Sequence, residues 1–198
     1  MHGLINRAIE RFARDTYGGD VWIQATRRMD LGFTEVAAML HYDDAVTTRL
    51  LQQLADLLDK PAPDLLEDIG TYLVSHPNVE SLRRLLRFGG VTFEEFLLSL
   101  DDLPGRGRLA VPDLDLPRLE LVPHTDQCYA LTVFSPKPAT LPFGRVVMGL
   151  LRAMADDYGA LVVLDYKGDR GAAELIEIRL LEPAFAEGRH FDLGATPP

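Results

Sequence analysis

The sequence holds a single cysteine, Cys128, among 198 residues. One thiol excludes an intramolecular disulfide framework, along with the multi-cysteine spacings of structural zinc and four-thiolate iron–sulfur sites. On its strand start, Cys128 reads as a buried small apolar residue. No apolar run reaches the length of about 18 residues that a membrane-spanning helix needs. Positive charge is scarce: 20 Lys and Arg stand against 30 Asp and Glu, a formal net charge of −10. Polyanion binding needs clustered cations, so a general nucleic-acid role is excluded. Arg83, Arg84 and Arg87 form one small basic cluster, which reads as a solvated helix face. No glycine-rich phosphate loop is found, because Gly168 and Gly171 flank a turn and do not open a helix. No defensible Ser/His/Asp grouping occurs, and an enzyme is not expected. The start, Met1-His-Gly-Leu-Ile-Asn-Arg7, lacks the charged-then-apolar layout of a secretory signal, so a cytoplasmic protein is expected.

What is present divides into two periodicities. Residues 1–103 read as helices. Leu4, Ile5, Ala8, Ile9 and Phe12 recur at helical spacing, and Tyr17-Gly-Gly-Asp20 ends that helix. A short helix over Val21–Arg28 follows. Asp43 and Asp44 open a helix carrying Leu50, Leu51, Leu54 and Leu58, with acidic residues where the helix dipole favours them. Lys60-Pro-Ala-Pro63 breaks the pattern, Asp64 is the expected cap of the next helix, and Pro77 closes it after His76. Ser81–Arg87 makes a further short helix, and Val91, Phe93, Phe96, Leu97 and Leu100 build another.

Residues 104–198 change period. Arg118–Val122 and Tyr129–Phe134 predict two strands joined by a turn at His124–Gln127. Phe143–Tyr158 predicts a helix with Val146, Val147, Leu150, Leu151 and Met154 inward. Ala160–Tyr166 and Glu174–Leu181 predict two more strands around Lys167–Gly171. The tail from Glu182 is expected to be peripheral. The order ββαββ suits an antiparallel sheet packed on a helix, an α+β fold.

Within this frame, Phe96-Leu-Leu-Ser-Leu-Asp-Asp-Leu-Pro104 and Leu116-Pro-Arg-Leu119 resemble the centre of the H-NOX family, the heme nitric oxide/oxygen-binding domains. Leu65-Leu-Glu-Asp-Ile-Gly-Thr-Tyr72, Leu85–Gly90 and Gly149-Leu-Leu151 are similar to further family segments in the same order. The resemblance implies a helical lobe, 1–103, and a ββαββ lobe, 104–198, making one domain around heme b. It implies a gas-sensing partner of a separate signalling protein, such as a cyclic-dinucleotide enzyme or a histidine kinase.

The resemblance also places the site. The family's axial histidine falls at Pro104, which has no nitrogen free to bind iron. The family's Y-x-S-x-R grip on the propionates falls at Phe134-Ser-Pro-Lys-Pro138, with Lys137 or Arg145 as replacement cations. Ile5, Ile9, Pro117, Val146 and Leu150 match the apolar walls. His76 is the candidate iron ligand, against a bland capping role before Pro77; His2, His41, His124 and His190 read as solvent-exposed. Asp113 and Asp115 read as a solvated turn. Two functions therefore remain open: a heme-based sensor, or a heme-free interaction module that accepts another apolar ligand or none.

Overall fold

The computed structural model of the protein describes residues 1–125, 127–169, 171 and 173–191. Asp126 and Arg170, in the two expected hairpin turns, lie outside the described residues, as does the tail beyond Phe191. The first half is helical: α1 Gly3–Tyr17, α2 Gly19–Arg28, α3 Asp44–Leu58, α4 Ala62–Ser75, α5 Glu80–Arg87, α6 Phe93–Leu98 and α7 Leu103–Ala110. Each boundary has a local cause. Gly18 takes φ 94° between α1 and α2, and the Asp43 carboxylate accepts from the Ala45 N–H to start α3. Thr92 and Glu95 make a reciprocal capping box on α6.

Proline placement corrects two expectations. α4 begins at Ala62, with Pro61 as its cap residue and Pro63 in its first turn, so Asp64 is a first-turn acid and not the cap. First-turn N–H groups lack helical partners, so proline sacrifices nothing there. The same rule operates at Pro104. The expected single helix stops at Leu98, passes through a 3₁₀ turn at Leu100–Asp102, and restarts as α7 with Pro104 in its first turn.

The second half supplies β1 Arg118–Thr125, β2 Cys128–Phe134, α8 Phe143–Tyr158, β3 Leu161–Asp169 and β4 Glu174–Glu182. Both hairpins are longer than expected, β1 continuing through His124 and Thr125. The sheet order is β1-β2-β4-β3, antiparallel throughout. Along β4, Glu174, Ile176, Ile178 and Leu180 alternate inward. They meet the sheet side of α8, whose Val147, Leu151 and Met154 are buried. The opposite side of α8 crosses α4, the most extensive helix contact in the molecule. Among the described residues, no helix is long and apolar enough to cross a membrane.

The described part of the tail, up to Phe191, is mostly exposed, as expected, but it is tied down. The Ala186 N–H donates to Gly159 O and the Arg189 N–H to Asp157 O, folding the chain back over the end of α8. The arginine cluster is not a solvated face. Arg83 is buried and donates through Nε to Asp157 at 2.6 Å, while Arg87 lies 3.9 Å over the Tyr158 ring and 5.1 Å from Phe191. The helical spacing of these arginines was right, but the face they occupy is covered by the returning tail.

Candidate ligand pocket

Helical periodicity builds the pocket directly. Ile5, Ala8 and Ile9 of α1 face Leu66, Ile69 and Leu73 of α4. Val146 and Phe143 of α8, with Leu141 before it, close the third side. This partly open cavity has a volume of about 50 Å³ and an apolar lining. One water's share of the liquid is about 30 Å³, and small apolar cavities stay dry. The space suits one very small molecule. Two larger hollows, of about 510 and 450 Å³, open to solvent on the flanks of α1 and α3.

Of the expected wall residues, Ile5, Ile9 and Val146 come together here. Leu150 lies one turn further along α8, half-buried, and is not in the lining; Pro117 is buried just before β1, also outside it. His76 sits elsewhere. It caps the 3₁₀ turn Pro77–Val79, where its Nδ1 accepts from the Asn78 N–H at 3.2 Å. Its ring stacks on Tyr72 at 4.9 Å and lies 3.8 Å from Asp15. Burial pushes the Tyr72 hydroxyl above the ordinary phenol range, and its 2.6 Å hydrogen bond to Asp15 adds to this.

The segment Phe134–Pro138, expected from the resemblance to hold the propionate motif, contacts a buried carboxylate. The Ser135 hydroxyl donates to Glu174 at 3.0 Å, and the Gly144 N–H and the Tyr166 hydroxyl donate to the same carboxylate, each at 2.9 Å. Ser135 Oγ also accepts from the Phe143 N–H. Glu174 is buried, and its charge faces the first turn of α8, where the helix dipole stabilises an anion. A Cβ at position 144 would lie 2.5 Å from Glu174 Oε1, so the close approach needs Gly144. Sequence reading missed Glu174; the available signal was an acid in the inward phase of an otherwise apolar strand. Glu174→Gln is expected to lower stability by about 1.5–2 kcal/mol, as charge-assisted hydrogen bonds are replaced by neutral ones. Chemical denaturation measures this, and an unchanged midpoint counts against the carboxylate's role.

The two replacement cations are also engaged. Lys137 pairs with Asp44 at 2.8 Å, a hydrogen bond that holds its ammonium above its ordinary pKa. Arg145 pairs with Glu67 at 2.8 Å and lies 3.9 Å over the Tyr166 ring. Cys128 is half-buried, not fully enclosed as expected.

A helical first half joined to a ββαββ second half, with an apolar space between α1, α4 and α8, defines a domain of the H-NOX class. The chain belongs to the haem-NO-binding (HNOB) family, whose model matches residues 2–165. It is 30% identical over 105 residues to the soluble guanylate cyclase gcy-35 of Caenorhabditis elegans, covering 52% of this chain but 15% of that protein. Among solved structures, it resembles a triple mutant of an H-NOX protein from S. oneidensis in the Fe(II) state. That match has a TM-score of 0.78 and 17% identity, and covers 96% of this chain and 100% of the other. The Fe(II) unliganded H-NOX protein from K. algicida matches with a TM-score of 0.75 and 18% identity, over 97% of this chain and 100% of the other. These likenesses establish the fold.

The family's cofactor does not fit the residues present. Cofactor pockets run from about 300 to 1,000 Å³, whereas the space between α1, α4 and α8 is about 50 Å³ and no lining side chain carries an iron-ligating atom. Pro104 is buried in the first turn of α7 and offers none either. The Ser135 hydroxyl and the Gly144 N–H, in and after the segment Phe134–Pro138, already bind an internal carboxylate, Glu174.

Proposed function

We propose that this chain is a heme-free H-NOX domain that works as an interaction module in signalling, with room for at most a very small apolar ligand. The size and lining of the apolar cavity carry this reading: about 50 Å³, bounded by α1, α4 and α8. Pro104 and Glu174 support it independently, one by lacking a ligand atom and the other by occupying the donors around Ser135. The module is read as non-catalytic and cytoplasmic. Its partner is a separate signalling protein, such as a cyclic-dinucleotide enzyme or a histidine kinase. The rival reading, a heme-based nitric oxide sensor, draws on family membership and on the similarity to a soluble guanylate cyclase.

Heme loading separates the two. The protein, produced in cells supplied with heme precursor and then incubated with hemin, is expected to show no stoichiometric Soret band. Pro104→His is expected to show none either, since restoring a ligand does not enlarge the cavity. A stoichiometric band in the unmodified protein would overturn the heme-free reading, and its loss in His76→Ala would assign the iron to His76. A band in Pro104→His alone would mean that the ligand, not the space, is what this chain lacks.

A further inference from the structure

At the N-terminal end of α1, three residues expected to be solvent-exposed converge. His2 and His41 form an isolated antiparallel bridge, fixed by Gly3 N–H to Leu40 O at 2.7 Å and Tyr42 N–H to Met1 O at 2.9 Å. Gly3 permits this contact, because a Cβ there would lie 2.3 Å from Ala37 O. The bridge sets the two imidazoles side by side, with centroids 5.1 Å apart and planes at 77°. Asp113, from the segment joining α7 to β1, reaches both: Oδ1 is 3.4 Å from His2 Nε2 and Oδ2 is 3.7 Å from His41 Nε2.

We propose that His2, His41 and Asp113 form a binding site for a divalent transition-metal ion, with Zn²⁺ the best match. Two imidazoles and one carboxylate are the donor set of borderline metals such as zinc. Tetrahedral bonds of about 2.0–2.1 Å place donor atoms roughly 3.3–3.4 Å apart, and the three donor atoms here all lie within 4.8 Å of one another. An independent observation points the same way. His2 is 4% exposed, and its Nε2 is buried without a hydrogen-bond partner, facing the other two groups. The side chains of His41 and Asp113 are 59% and 57% exposed, so an ion can enter from solvent and keep water as a fourth ligand.

Binding moves one proton. His2 Nδ1 accepts from the Leu4 N–H at 3.1 Å, which puts the neutral ring's proton on Nε2. To ligate through Nε2 the ring shifts that proton to Nδ1 and gives up the helix-cap bond. Losing one cap lowers an equilibrium constant roughly fivefold, small beside metal-binding energies. An occupied site ties the start of α1 and the loop before α3 to the segment that leads to Pro117 and β1. The ion thereby clasps the helical half to the sheet-bearing half. This holds whether or not the domain binds heme.

The test is titration of the tag-free full chain with Zn²⁺ alone, followed by calorimetry and thermal unfolding. His41→Ala and Asp113→Ala change exposed side chains and serve as the variants. One equivalent is expected to bind and raise the unfolding temperature, with affinity falling at least about tenfold in each variant. Nitrogen-15 spectra are expected to show the His2 proton moving from Nε2 to Nδ1 on saturation. Absence of binding in the unmodified protein overturns the site. So does binding of equal strength in both variants, which would mean Zn²⁺ sits elsewhere on the acidic surface.

Discussion

Asp157→Ala is expected to cost about 3–5 kcal/mol of stability, the range for removing one partner from a buried ion pair. Asp157 is 1% exposed at the end of α8 and accepts from Arg83 Nε at 2.6 Å, with Arg87 Nη1 at 3.6 Å from its other oxygen. Burial alone would lower the Arg83 pKa, but Asp157 and Glu80 outweigh it and hold the guanidinium firmly charged. Among the described residues, without Asp157, Arg83 keeps only the partly exposed Glu80 as an ionic partner and Arg87 keeps none. Neither can shed its charge. The tail also loosens, because Phe191 packs on these same guanidiniums. Urea denaturation gives the comparison, with Arg152→Ala as control. That variant removes an exposed pair with Glu67, expected to be worth at most about 1 kcal/mol. Equal losses in the two variants would sink the claim that Asp157 anchors the tail.

The arginine cluster shows where sequence reading reached its limit. Spacing placed Arg83 and Arg87 on one face of a helix, and α5 is that helix. What covers the face comes from His190 and Phe191, more than 100 positions away, and no local pattern announces it. His2 was misread for the same reason, since burial depends on the bridge to His41. By contrast, α8 was legible to the residue, because its apolar repeat is long and Pro142 and Gly159 mark its ends. The pocket was legible in part. Ile5, Ile9 and Val146 follow from periodicity and resemblance together, whereas Glu174 sits in a strand that reads as apolar. The Pro104 region was misjudged for a simpler reason. A proline that ends one helix can equally occupy the first turn of the next, and the sequence alone does not choose.

The small cavity traces to two glycines, and their substitution carries the other large expected effect. A Cβ on Gly70 of α4 would lie 2.0 Å from Val146 O, and one on Gly149 of α8 would lie 1.8 Å from Glu67 O. The two helices therefore cross backbone against backbone, and the obstructing atoms are carbonyls that cannot rotate aside. Gly149→Ala is expected to lose about 2–3 kcal/mol through overpacking, despite the gain of roughly 1 kcal/mol that alanine brings to a helix interior. Gly105→Ala isolates that gain: a Cβ there meets nothing within 4 Å, and the variant is expected to be slightly more stable. The double variant Gly70→Ala/Gly149→Ala should lose less than the sum of the two single losses, because one separation of α4 from α8 relieves both clashes. That separation would move Ile69 away from Val146, both of which line the cavity. The double variant, where it remains folded, should therefore take up apolar probes that the unmodified protein excludes. Denaturation midpoints measure the first effect and probe fluorescence the second. Strictly additive losses with no gain in probe binding would show that the glycines do not set the cavity's size.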